Sequence, residues 1–132
     1  MPVVVVGYVP KPEGEAAVRR AAEEAARRAA RLIVVSTQRD GEADPAWIEK
    51  TAADLEATRQ RLDGTGCDYE IRQTVAGEDP ADDLVAVAEE TGAELVVIGI
   101  RRRSNVGKLI LGTQAQRILL DAPCPVLAVK PD

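Results

Sequence analysis

The sequence predicts an α/β protein: a single five-stranded parallel sheet, doubly wound, with helices on both faces. Three observations predict it. Short strand-like runs recur five times, each pair of runs is separated by a segment of helical spacing, and most runs are apolar almost without interruption. Strands covered on both faces read this way, and strands alternating with helices imply a parallel sheet with right-handed crossovers. In such sheets ligands lie beyond the C-terminal strand ends, where the strand order reverses. The segments after the first, second and fourth strands are therefore where function is expected.

The first strand is PVVVVG (2–7), a β-branched run. Pro12 and Glu13 open a helix through about Ala30, with an apolar side at Ala17, Val18, Ala21, Ala22, Ala25, Ala26 and Ala29, close to the 3.6-residue period. An alanine face is thin, so this helix is expected to lie near the sheet. RLIVVS (31–36) is the second strand. Asp44-Pro45 has the cap-then-proline pattern of a helix start; that helix runs to about Asp63, burying Ile48, Ala52, Leu55 and Leu62, and stops at Gly64 and Gly66. CDYEIRQTV (67–75) alternates polar and apolar, which gives it one wet face and places it at a sheet edge. Asp79-Pro80 opens a helix over 80–91 with Leu84, Val85, Val87 and Ala88 inward, and Gly92 occupies the left-handed closing position. ELVVIG (94–99) is the fourth strand. A last helix, roughly 112–121, buries Ala115, Ile118 and Leu119; Pro123 ends it, and PVLAVK (125–130) is the fifth strand. With no linker, repeat or low-complexity tail, residues 1–132 read as one domain.

Composition narrows the function classes. The chain is 45% hydrophobic but only 2% aromatic, with no Phe, so the core must be Val, Ile, Leu and Ala. A net charge of -5 argues against a dedicated nucleic-acid binder, which needs a broad basic face. No run of ~18 apolar residues is present to span a membrane, and MPVVVVGYVP reads as a strand, not a signal peptide. The absence of His, with Cys67 and Cys124 far apart, argues against zinc sites, against any metal held by protein ligands, and against Ser-His or Cys-His catalysis. A cytoplasmic setting is expected, with both thiols as buried small hydrophobes. Arg19, Arg20, Arg27 and Arg28 alternating with Glu23 and Glu24 read as a solvated helix face, as do Glu70 and Arg72 on the edge strand. Asp82 and Asp83 suit the positive end of their helix, and Trp47 reads as a packing or interface residue.

The loop GIRRRSNVGKLILGT (99–113) carries the sharpest question. Gly112-Thr113 begins the last helix, where unpaired amides and the dipole favour an anion; Gly112 would let the main chain approach it, and Thr113 adds a hydroxyl. Arg101, Arg102 and Arg103 add charge suited to a polyphosphate. The same residues also serve a turn, a helix start and a solvated basic run. Neither G-x-G-x-x-G nor G-x-x-x-x-G-K-[ST] is present, since Gly107-Lys108 is followed by Leu109.

VVVVGY at the start, ELVVIGIRRRSNVGKLILGTQAQRILLDAPCPVLAVK at the end and the alternating middle together resemble the universal stress protein family over essentially the whole chain. The resemblance implies a Rossmann-like, adenine-nucleotide-hydrolase-like fold with strand order 3-2-1-4-5. It also implies a homodimer through the last strand and, in one branch of the family, binding of ATP or AMP through G-x-x-G-x9-G-[ST]. Gly99 matches the first glycine of that pattern and Gly112-Thr113 the closing pair, while Arg102 holds the second glycine position. An arginine there can fill the phosphate space or turn outward and grip the phosphates. Val9 stands where ATP-binding relatives carry an Asp at the end of strand one, which weakens ribose anchoring and metal-dependent hydrolysis. The nucleotide-contacting set implied is Tyr8, Val9, Val35, Gly99, Arg101, Arg102, Gly112, Thr113 and Gln114. Within it, Tyr8 either covers a base or packs at an edge, and Val35 can be both core and adenine wall. Lys11 either approaches a phosphate or is solvated. An apolar final strand (Val126, Leu127, Ala128, Val129) left at an edge is an aggregation hazard; antiparallel pairing with its copy satisfies it, and a covered edge in a monomer is the alternative.

The function expected is a cytoplasmic stress-response regulatory module that binds an adenine nucleotide at the loop after strand four. The alternative is a dimeric interaction module without nucleotide. Hydrolysis is expected to be slow at most, because VGYVPKPEG supplies neither a glycine-rich phosphate loop nor an acid/base group. A phosphorylated receiver domain would need acidic residues where Gly7-Tyr8-Val9 and Thr74-Val75 stand.

Overall fold

The alternation of strand and helix signals is realised in full. In the computed structural model, which describes residues 1–39, 45–76, 79–101 and 112–131, the order is β1 (Val3–Tyr8), α1 (Pro12–Arg28), β2 (Arg31–Arg39), α2 (Pro45–Asp63), β3 (Tyr69–Ala76), α3 (Pro80–Thr91), β4 (Leu95–Gly99), α4 (Thr113–Asp121) and β5 (Val126–Val129). Asp44, Arg102 and Arg103 lie outside the described residues, as do the side chains of Trp47 and Ile48. Observed ends differ from the expected ones by a residue or two, apart from β2, which runs three residues further.

All strand pairs are parallel, in the order β3-β2-β1-β4-β5, so the alternating segment does lie at one edge and the last strand at the other. Pleating sorts the apolar runs onto two faces. Val4, Val6, Leu32, Val34, Leu95 and Val97 pack against α1 and α2; Val5, Ile33, Val35, Val96 and Ile98 pack against α3 and α4. Val4, Val5 and Val6 are fully buried, which is why β1 shows no alternation in sequence. Sequence order reverses between β1 and β4, and this places the switch point at their C-terminal ends.

Several expected core positions move. In α1, Ala17, Val18, Ala21 and Ala25 are buried, but Ala26 and Ala29 are exposed. Ala29 has left the helix: it is the left-handed closing residue (φ 51), so its side chain no longer follows the apolar stripe. In α2 the inward stripe runs Thr51, Leu55, Thr58 and Leu62, which leaves Ala52 outside. Thr58 is hidden because its hydroxyl donates to the Asp54 carbonyl at 3.0 Å, one turn back, and so needs no water. In α3, Val85 is half-buried, whereas Leu84, Val87 and Ala88 are buried. The Asp79 carboxylate accepts from Ala81 N at 2.9 Å as the N-cap, and Gly92 closes the helix at φ 63. In α4 only Ile118 is buried; Leu119 is exposed, one residue's rotation away from the narrow stripe that meets α3 and the sheet. Cys67 and Cys124 are half-buried, not buried, and burial pushes both thiols above the ordinary cysteine value.

Glu24 overturns the reading of its helix face as simply solvated. It is buried, and its carboxylate takes Arg20 at 3.1 Å, Arg27 at 2.8 Å and Arg28 at 3.6 Å. The Arg20 hydrogen bond, opposed in part by burial, lowers its pKa. Because the folded chain favours the ionised form, the stability that Glu24 adds is present above the ordinary carboxylate range and lost as pH falls through its lowered pKa. Glu24→Gln is therefore expected to lower Tm at pH 7, with the gap from wild type closing in thermal melts below about pH 4.

Candidate functional site

The site is built where β1 hands the chain to α1. Lys11 N donates to the Val9 carbonyl at 2.8 Å, turning the chain sharply before Pro12 starts the helix. Two glycines permit the helix to settle so close to the strand ends. A Cβ on Gly14 would fall 1.9 Å from the Val9 carbonyl oxygen, and a Cβ on Gly99 would fall 2.2 Å from the Glu13 carbonyl oxygen. The first turn of α1 thus rests directly on the ends of β1 and β4, backbone against backbone.

Beyond these strand ends opens a cavity of about 360 Å³. Its floor comes from Gly7, Tyr8 and Val9 of β1 and the turn after it, Val35 and Ser36 of β2, and Ile98 and Gly99 of β4. Pro10 and Lys11 form one rim. Thr51 of α2, Pro80, Ala81 and Leu84 of α3, and Gln114, Ala115 and Ile118 of α4 complete the wall. Lys11 is the one charged group among these lining residues, and none is acidic. A second hollow of about 340 Å³ lies between α1 and α2, against Val18, Ala22, Thr58 and Leu62, and holds none of the residues expected to contact a nucleotide.

Five of those residues, Tyr8, Val9, Val35, Gly99 and Gln114, meet at the strand-end cavity. Tyr8 reaches it from the edge: the residue is 4% exposed and packs in the α1/α2 core while also lining the cavity. Its hydroxyl has no hydrogen-bond partner of good geometry; burial raises its pKa, with neighbouring Thr58 acting in the opposite direction. Val35 is buried in the α3/α4 core and lines the cavity as well. Val9 and Lys11 are exposed at the mouth.

Gly112 caps α4 in an extended conformation (φ -66), with no atom of the described residues within 4 Å of where its Cβ would be, and Thr113 follows, exposed, as the first helical residue. The amides of Thr113, Gln114 and Ala115 have no acceptor within the helix. Arg101 is exposed, with its Nε 3.9 Å from the buried Glu13 carboxylate. Arg102 lies outside the described residues.

Sequence reading missed Ser36 and Thr51, two buried hydroxyls on the cavity wall, and the α3 contribution from Pro80, Ala81 and Leu84. Only the topology brings α3 to the end of β1. The one available signal was the Asp79-Pro80 helix start, which directs the first turn of α3 to the same strand ends.

A doubly wound parallel sheet with a mostly apolar cavity at its switch point places the chain among the Rossmann-like α/β domains. The pattern shared by the universal stress protein family matches residues 1–130. A universal stress protein of Mycolicibacterium smegmatis is 44% identical over 130 residues, spanning 98% of each chain. Among solved structures, a universal stress protein from Archaeoglobus fulgidus superposes with a TM-score of 0.82 at 35% identity, covering 98% of both chains. The universal stress protein from the same organism in complex with dAMP superposes at 0.75 with 29% identity, again over 98% of both. The chain belongs to the universal stress protein family.

The two loop glycines are expected to separate by experiment. Gly99→Ala forces a Cβ into the Glu13 backbone and is expected to cost about 2 kcal/mol or more of stability without any ligand, read by urea unfolding.

Proposed function

We propose that the strand-end cavity binds an adenine nucleotide, ATP or AMP, and that the protein acts as a cytoplasmic regulatory module of the stress response. The observation that carries this reading is the union of an apolar pocket with the first turn of α4 beside it. Val35, Ile98 and Leu84 offer flat apolar surface to a base, Ser36 and Thr51 offer hydroxyls, and the α4 amides with Thr113 offer donors to a phosphate. No described residue crowds the Cβ side of Gly112 next to those amides, and Lys11 adds a positive charge at the rim. The dAMP complex of the Archaeoglobus relative supports a nucleoside monophosphate as the minimal ligand. With no carboxylate among the described lining residues, the cavity suits binding without turnover.

Calorimetric titration of ATP and AMP into protein stripped of ligand tests the reading. Heat of binding for either supports it; no heat, with no nucleotide released on denaturation, overturns it. Gly112→Val is expected to cost little stability in buffer, because no described atom lies within 4 Å of its Cβ position and its extended conformation is open to valine. It is expected to abolish the stabilisation of about 2.7 kcal/mol that nucleotide at ~100 times its Kd confers on wild type.

The same module is proposed to dimerise through β5. Val96 N donates to the Pro125 carbonyl at 3.1 Å and Ile100 N to the Val129 carbonyl at 2.8 Å, so alternate residues of β5 face β4. Strand geometry then turns the main-chain groups of Val126 and Ala128 toward the free edge, where a second β5 can pair antiparallel. Ala128→Pro removes an outward N–H without touching the β4 ladder. The variant is expected to stay folded by circular dichroism and to run as a monomer in light scattering, whereas wild type runs as a dimer.

A further inference from the structure

We propose that Arg117, with Asp79 and Asp82, is a positioning group for the anion-binding end of the cavity: it fixes the first turn of α4 at the place where its amides receive a phosphate. The inference rests on the nucleotide reading above.

The need for such a device lies in α4 itself. The helix has nine residues, one buried side chain (Ile118), and a cap residue, Gly112, that makes no side-chain capping bond. With only Ile118 fully buried and Ala115 half-buried beside it, the helix has little apolar surface to fix its tilt, and a tilt moves the end whose first amides have no acceptor within the helix. Two polar ties to the start of α3 oppose that motion. The Gln114 side-chain oxygen accepts from Ala81 N at 3.0 Å. One turn of helix on, Arg117 spreads its fork over two carboxylates: Nη1 pairs with Asp79 Oδ2, and Nη2 reaches Asp82 Oδ1 at 2.8 Å.

Asp79 is what makes the tie rigid. Its other oxygen, Oδ1, accepts from Ala81 N at 2.9 Å and caps α3, so the carboxylate cannot follow Arg117 outward without uncapping a helix. Ala81 N is thus shared between Asp79 and Gln114, and the first turns of α3 and α4 are joined through one amide and one guanidinium. Asp79 is the best shielded member, its side chain 16% exposed against 44% for Arg117 and 46% for Asp82, so the Asp79 contact is less screened than a surface pair. A lysine would not hold both carboxylates in this geometry.

Positioning can be told apart from plain electrostatics, because Asp82 is negative and lies near the anion end. If charge alone mattered, Asp82→Asn would tighten a phosphate ligand. If Asp82 acts by holding Arg117, the same change loosens it. Calorimetric titrations of AMP and of adenosine are run on wild type, Arg117→Gln and Asp82→Asn. The expected result is an AMP Kd raised about three- to tenfold by Arg117→Gln and about two- to threefold by Asp82→Asn, with adenosine Kd unchanged, since only the phosphate meets the amides at the start of α4. Tighter or unchanged AMP binding in Asp82→Asn, or a parallel loss for adenosine, overturns the proposal and leaves the nucleotide reading intact. A wild type that binds neither ligand overturns both. Should Arg117→Gln fail to fold, the more exposed Asp82→Asn carries the test alone.

Discussion

The constraint on which the rest depends is the contact between the start of α1 and the end of β4. With Gly99 under the Glu13 carbonyl and Gly14 under that of Val9, main chain packs on main chain with no side chain between. This brings the alanine face of α1 onto a sheet whose central valines are fully buried. It also draws the β1–α1 turn down onto the strand ends, where Val9, Pro10 and Lys11 form one rim of the cavity. A bulkier residue at either glycine would lift α1 and change the core and the cavity together.

That arrangement divides the labour between the two glycines at the ends of the 99–113 segment. Gly99 is needed by the fold, since its missing Cβ is occupied by another backbone. Gly112 is not needed by the described packing, since its missing Cβ leaves open space. In the family's nucleotide pattern both belong to one ligand motif; physically they answer to different demands. The opposite end of the cavity depends on polar ties instead of close packing. There the Asp79, Asp82, Arg117 and Gln114 cluster takes the place that apolar contact takes under α1, because α4 brings so little buried surface of its own.

Polar residues inside apolar stripes are the recurring departure from simple periodicity. Thr58 and Glu24 are both buried, one because its hydroxyl bonds one turn back, the other because three arginines surround its carboxylate. A residue's own hydropathy carries no record of such partners. Conversely Leu119, Ala26 and Ala52 look apolar and lie outside, since burial depends on what the helix meets, not on the side chain alone.

What the chain determined locally was legible: strand runs, helix starts at Asp79-Pro80, the Gly92 stop, and a parallel sheet with its alternating strand at an edge. These depend on backbone dihedral preferences and on apolar periodicity, which act over a few residues. Tertiary structure alone decided that Tyr8 packs in the core, that Gly99 serves helix contact, and that Ser36, Thr51 and the first turn of α3 join the cavity wall. Those facts arise from which elements lie side by side in three dimensions. Neighbours such as Asp79 and Arg117, 38 residues apart along the chain, have no spacing that announces their meeting.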